Sequence, residues 1–178
     1  MNPLDEAVTI VEPGIAWPAQ AAAERARILA ALPGERLEHI GSTAVPGLPA
    51  KPVIDLMLGL AAYPPDAALV DAITALGYRN LGEAGVPGRL YFVMRGAIDV
   101  NLHAVEHAGA HWSNNLALRE HLRRSADARR RYAAAKEQAL AGGAGTLIAY
   151  SAAKAATIAA LLQEAQEEPD REMPANES

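Results

Sequence analysis

From Glu38 to Asp55 the chain reads Glu-His-Ile-Gly-Ser-Thr-Ala-Val-Pro-Gly-Leu-Pro-Ala-Lys-Pro-Val-Ile-Asp. These residue types, in this order, suit the handling of a phosphate. Gly41 lets the backbone come close to a ligand. Ser42, with Thr43 beside it, adds a hydroxyl and an N–H for a phosphate oxygen. Lys51 is a mobile point charge able to neutralise the same group. Asp55 interrupts an apolar run, and an acid buried there is costly unless a cation or hydrogen-bond donors accompany it. The competing reading is a tight turn with Asp55 accepting from nearby N–H groups.

A second set of polar residues alternates with apolar ones further on. Asp99, Asn101 and His103 are two apart and share one face of a strand, while Ile98, Val100 and Leu102 share the other. If that row lies beside Asp55, two carboxylates and an imidazole meet above a sheet. Asp55 and Asp99 could then hold Mg²⁺ or Mn²⁺ together with waters and substrate phosphates, with His103 near the reacting groups. The plain alternative is the wet face of a half-exposed strand. Arg89, just before the hairpin, could reach the same place. His103, His107 and His111 are spaced four apart, but His103 belongs to the strand and Gly109 interrupts any helix, so no zinc site is expected.

The elements that must position these groups follow from periodicity and breakers. An extended stretch at Val8–Val11 precedes a helix from Pro18 to Leu32, stopped by Pro33-Gly34. Arg36–Ile40 is a short strand entering the Gly41 loop, and Val53–Leu60 is a strand buried on both faces. Asp66–Leu76 is a helix, and Leu90–Arg95 with Ile98–Val105 form a hairpin. Helices cover roughly 115–141 and 150–166, split by Gly142-Gly143-Ala144-Gly145. The order predicts an α+β domain: a small mixed β-sheet flanked by helices, with a helical C-terminal part.

The quoted stretch, with Leu76-Gly77-Tyr78, Gly88-Arg89, Leu102-His103 and Leu118-Arg119-Glu120-His121-Leu122-Arg123, resembles the GrpB-like (UPF0157) family. Tyr132 with Lys136 and Tyr150 with Lys154 extend the match, which runs over roughly 8–165. The resemblance implies the nucleotidyltransferase superfamily and its DNA polymerase β-like fold. In that superfamily Gly-Ser is followed, about a dozen residues on, by Asp-x-Asp/Glu, with a third acid on a later strand. The acids bind two Mg²⁺ ions for in-line attack on a nucleoside triphosphate. Gly41, Ser42 and Asp55 fit, Met57 stands where the second acid belongs, and Asp99 is the candidate third acid. The implied activity is metal-dependent transfer of a nucleotide from an NTP to an acceptor. The alternative is a non-catalytic nucleotide- or anion-binding accessory protein on the same fold. A metal-dependent hydrolase using Asp55, Asp99 and His103 is a third reading.

Composition narrows the partners. The 178 residues are 51% hydrophobic and 21% charged, with no cysteine, which excludes disulfides, thiolate metal sites and a cysteine nucleophile. Aromatics are 4%, too few for a stacking platform along single-stranded nucleic acid. The net charge of −5 resides entirely in the stretch from Gln163 onward, so the preceding body is neutral. One domain is expected over 1–165, followed by an acidic tail, 166–178, of the composition that stays disordered. No signal peptide or apolar run of the ~20 residues a bilayer needs is apparent, so a cytoplasmic location without membrane association is expected. On a helix Arg119, Arg123 and Arg130 fall within about 40° of one another. That row either binds phosphates or is a solvated face. A neutral body argues against general nucleic-acid binding while leaving room for a tRNA-sized partner. The expected ligand is a nucleotide or another small phosphate-bearing molecule.

Overall fold

The apolar run Val53–Leu60 forms an inner strand of a five-stranded sheet in the computed structural model, which describes residues 8–143 and 147–167. In chain order the elements are α1 (Trp17–Ala31), β1 (Arg36–Ile40), β2 (Val53–Leu60), α2 (Ala67–Ala75) and β3 (Arg79–Asn80). Then follow β4 (Arg89–Met94), β5 (Asp99–Glu106), α3 (Ala110–Arg124), α4 (Ala126–Ala141) and α5 (Leu147–Glu167). The spatial order is β1-β2-β5-β4-β3. β2 and β5 run parallel and the other pairs are antiparallel, so the sheet is mixed, as the sequence predicts.

Alternation along the strands separates two faces. Ile54, Leu56, Leu58 and Leu60 join Phe92 and Leu102 in the main core beneath α1 and α2. Each such side chain contributes roughly 1.5–3 kcal/mol by leaving water. On the opposite face Ile40, Met57 and Val105 pack against Trp112 of α3. Gly59 permits that approach, since a Cβ there would lie 2.8 Å from the Trp112 ring. A third cluster joins the loop residues Val45 and Leu48 to Leu122, Tyr132 and Leu161, so α3, α4 and α5 converge on the segment that follows Gly41.

Three elements differ from expectation. The single helix predicted over 115–141 is two, because Ser125 leaves the helical path (φ −97°, ψ 112°). Its N–H closes α3 on the His121 carbonyl, and its hydroxyl accepts from the Ala128 N–H to start α4. α3 also begins earlier, directly after Gly109. β3 is a two-residue strand with no periodicity to read. Of the predicted acidic tail, residues 168–178 lie outside the described residues. Among the described residues no helix is long and apolar enough to cross a membrane.

Candidate functional site

β1 ends at Gly41, whose φ of 72° and ψ of −171° suit only glycine. A Cβ at this position would lie 2.7 Å from Asp55 Oδ2, so the turn sits directly on the carboxylate. Residues Ser42–Ala44 then make one 3-10 turn. The Thr43 hydroxyl donates to the Val53 carbonyl (3.3 Å) and lies 2.9 Å from His39 Nε2. A hydroxyl has one proton, so His39 donates to Thr43 and carries its proton on Nε2.

Two arginines of α3 hold this turn from outside. Arg119 Nη1 donates to Glu38 Oε2 and the His39 carbonyl, both at 2.8 Å. Arg123 donates to the Ala44 carbonyl from Nε (3.0 Å) and Nη2 (2.8 Å). Further along, Arg129 bonds the Leu122 and Arg123 carbonyls, Arg130 pairs with Asp127, and Arg131 pairs with Glu164. Arg119, Arg123, Arg129, Arg130 and Arg131 of the basic stretch are thus engaged by the fold's own carbonyls and carboxylates.

His39 carries a pH signature. Burial, followed by the nearby Arg123 and Arg119 charges, outweighs the pull of Asp55 and lowers its pKa to about 4. The unfolded chain takes up this proton near pH 6.5 and the folded chain does not. Stability is therefore complete above that pH and falls as the pH drops from about 6.5 towards 4. Partial exposure limits the loss to the order of 2 kcal/mol. Urea midpoints at pH 7 and pH 5 should differ more for the wild type than for His39→Gln. Equal pH slopes would refute the assignment.

Asp55 occupies the middle of the site because β1 and β5 flank β2 in register. It faces Ile40 on one side and Asn101 on the other. Asn101 Nδ2 donates to Asp55 Oδ1 at 2.8 Å, and His103 Nε2 lies 3.3 Å from the same oxygen. Burial raises the Asp55 pKa. The hydrogen bond and charge of His103, the Asn101 bond and the Lys154 charge together overcome it, holding the carboxyl below its usual value. Asp55 is thus an anion whose side chain keeps 27% exposure. The His103 ring rests 5.1 Å from Tyr91, and the Arg89 guanidinium lies 4.7 Å above Tyr91. Arg89 is tethered to the Glu83 and Ala84 carbonyls, while its Nε is buried without a hydrogen bond among the described residues.

These groups line a cavity of about 680 Å³, within the size range of small-molecule sites. Of the residues singled out from sequence, Gly41, Ser42, Thr43, Lys51, Asp55, Arg89 and His103 all border it. Asp99 does not. It sits opposite Val53 at the strand's beginning, accepts from the Gly96 N–H (3.2 Å) and lies 4.0 Å from Arg95. It borders a separate, smaller depression with Gly96 and Ile98. The residue beside Asp55 is Asn101.

The opposite wall comes from α4 and α5, whose part sequence reasoning underrated. Lys154 Nζ lies 4.4 Å from the Tyr150 ring and 5.9 Å from the Tyr132 ring. Behind Ser42, the buried Lys136 ammonium donates to the Pro49 carbonyl and to Ser42 Oγ (3.3 Å), leaving the serine proton free to point elsewhere. Burial, reinforced by the Lys154 charge, lowers the Lys136 pKa to about 7. Tyr150 and Lys154, one turn apart, were the available sequence signal. Nothing local marks Lys136 as buried.

The donor set does not fit the two-ion arrangement of the superfamily. Mg²⁺ asks for near-octahedral oxygen ligands. Among the described residues around this cavity Asp55 is the lone carboxylate, Met57 is fully buried in the core, and Asn101 turns its NH₂ towards Asp55. Among the described residues no group of three His, Cys, Asp or Glu is placed to hold a metal.

Comparison with known proteins places this architecture. A family model described as GrpB protein matches residues 7–164. A UPF0157 protein of Deinococcus radiodurans is 36% identical over 156 residues, covering 85% of this chain and 78% of the relative. One from Streptomyces coelicolor is 39% identical over 115 residues, covering 61% of this chain and 57% of the relative. For one from Pseudomonas aeruginosa the match spans only 39% of the relative's length. The crystal structure of a conserved GrpB protein from Enterococcus faecalis superposes with a TM-score of 0.78 at 27% identity, covering 89% of this chain and 98% of that one. Terminal uridylyl transferase 4 of Trypanosoma brucei with bound CTP superposes with a TM-score of 0.50 at 17% identity, over 91% of this chain and 52% of that one. That likeness is one of fold: the sheet and its flanking helices are those of nucleotidyltransferases.

Proposed function

The chain belongs to the GrpB family, and on that premise we propose that its cavity binds a small phosphate-bearing ligand, a nucleotide foremost. The observation that carries this reading is the charge arrangement. Among the described residues Lys51, Arg89 and Lys154 border the cavity, against the single carboxylate of Asp55. A polyphosphate would pair with these positive groups through charge-assisted hydrogen bonds. The CTP held by the uridylyl transferase of the same fold supports a nucleotide in particular. Of the two functions the family resemblance implied, the binding protein agrees better with the donor set. Nucleotide transfer through two ions asks for carboxylates that Met57 and Asn101 replace.

Thermal shifts with the four ribonucleoside triphosphates test the reading. At about 100 times its Kd a ligand stabilises by roughly 2.7 kcal/mol, equivalent to roughly 5–10 °C for a domain of this size. Lys154→Met removes one charge-assisted contact and should weaken binding about tenfold. No shift with any nucleotide or with inorganic triphosphate would overturn the proposal.

A further inference from the structure

The orientation of the Asn101 side-chain amide decides what Asp55 can do. Arg95 Nη2 lies 3.0 Å from Asn101 Oδ1, while its Nη1 donates to the Met94 and Val100 carbonyls. A guanidinium can only donate, so the amide oxygen must face Arg95 and the NH₂ must face Asp55. Asp99, 4.0 Å from Arg95 Nε, holds the guanidinium from the far side. Charge and donor direction thus alternate from Asp99 through Arg95 and Asn101 to Asp55. An NH₂ group directed at the carboxylate repels a cation from the position a metal would share between the two residues.

Resting on the reading of this cavity as a phosphate site, we infer that it takes its anionic ligand without a divalent ion. In the same inference Asp55 accepts a hydrogen bond from a donor group, a hydroxyl or an amine, on that ligand. An ionised carboxylate repels a phosphate, so the phosphate end belongs on the Ser42, Lys51 and Lys154 side. Asn101 and His103 both approach Oδ1 of Asp55, and Oδ2 lies against Gly41. What the carboxylate can still accept is a ligand donor. The substrate class is therefore a molecule with an anionic end and a donor end, as a nucleotide has in its triphosphate and ribose. Lysine and arginine side chains supply the positive charge that Mg²⁺ supplies elsewhere, and an ion bound to the triphosphate only reduces the charge they attract.

Calorimetric titrations at pH 8 of the wild type with the four ribonucleoside triphosphates and with inorganic triphosphate, each in EDTA and in Mg²⁺, test this. The best nucleotide is expected to bind in EDTA at least as tightly as in Mg²⁺, and about tenfold tighter than inorganic triphosphate, which offers no hydroxyl. Asp55→Asn, which puts an NH₂ where Oδ2 was, should weaken the nucleotide about tenfold and leave inorganic triphosphate unchanged or tighter. Nucleotide binding that needs Mg²⁺ overturns the inference while leaving the phosphate-site reading intact. Equal losses for both ligands in Asp55→Asn, or a wild type that does not prefer the nucleotide, overturn the donor contact. No binding of any ligand in either buffer overturns both readings.

Discussion

Gly41→Ala should lower the melting temperature by roughly 8–16 °C and abolish ligand binding. Two costs add at this residue. The backbone sits at φ 72° and ψ −171°, a region that costs a side-chain-bearing residue about 1–3 kcal/mol. The new Cβ would lie 2.7 Å from Asp55 Oδ2 and 3.1 Å from Asp55 Cβ, so the carboxylate or the turn must move. Such overpacking costs another ~1–3 kcal/mol, giving a total of about 4 kcal/mol, and a domain of this length loses about 2–4 °C per kcal/mol. Relief by turning Asp55 would break its bonds from Asn101 and His103, so stability and binding fall together. A variant that melted like the wild type would show that the turn does not rest on Asp55.

Arg123→Ala should destabilise by about 2–3 kcal/mol and weaken ligand binding, although Arg123 does not line the cavity. Its guanidinium forks onto one carbonyl, that of the buried Ala44, and its Nη1 reaches Glu120 at 3.0 Å. Charged hydrogen bonds to a carbonyl are worth about 1.5–3 kcal/mol, and removal leaves the Ala44 oxygen short of a partner. The carbonyl ends the turn that presents Ser42, so slack there reaches the phosphate side. Arg123→Lys should recover only part of the loss, because an ammonium cannot fork. Denaturant midpoints and nucleotide affinities of the two variants check this. Unchanged stability with lost binding would instead make Arg123 a direct ligand contact.

How much of this was legible in the sequence follows from where each constraint resides. β1 and β2 have the bounds that apolar patterning and the Gly41 loop assign, because a strand flanked by glycine and proline is a local feature. The two-residue β3 and the break at Ser125 carry too little pattern to read. The polar row Asp99-Asn101-His103 was visible as a row, but not which member meets Asp55. That depends on register between β2 and β5, strands joined by a long crossover, and alternation alone is blind to a two-residue slip. Register puts Asn101 beside Asp55 and leaves Asp99 at the hairpin, holding Arg95. The arginine stretch announced its charge and hid its partners, since a carbonyl such as Ala44's is nowhere encoded as an acceptor. Lys136 was the least legible, because lysine is a surface residue on average and this one is buried where α4 meets the loop from Ser42 to Pro49.

The proposed place of a phosphate-bearing ligand is the cavity at Gly41 and Asp55. A crystal structure grown with the nucleoside triphosphate giving the largest thermal shift tests it most directly. Phosphate density is expected against Ser42, Lys51 and Lys154, with a ligand hydroxyl or amine within hydrogen-bond distance of Asp55. A nucleotide seated elsewhere, for instance on the exposed Arg130 of α4, with the cavity empty would contradict it.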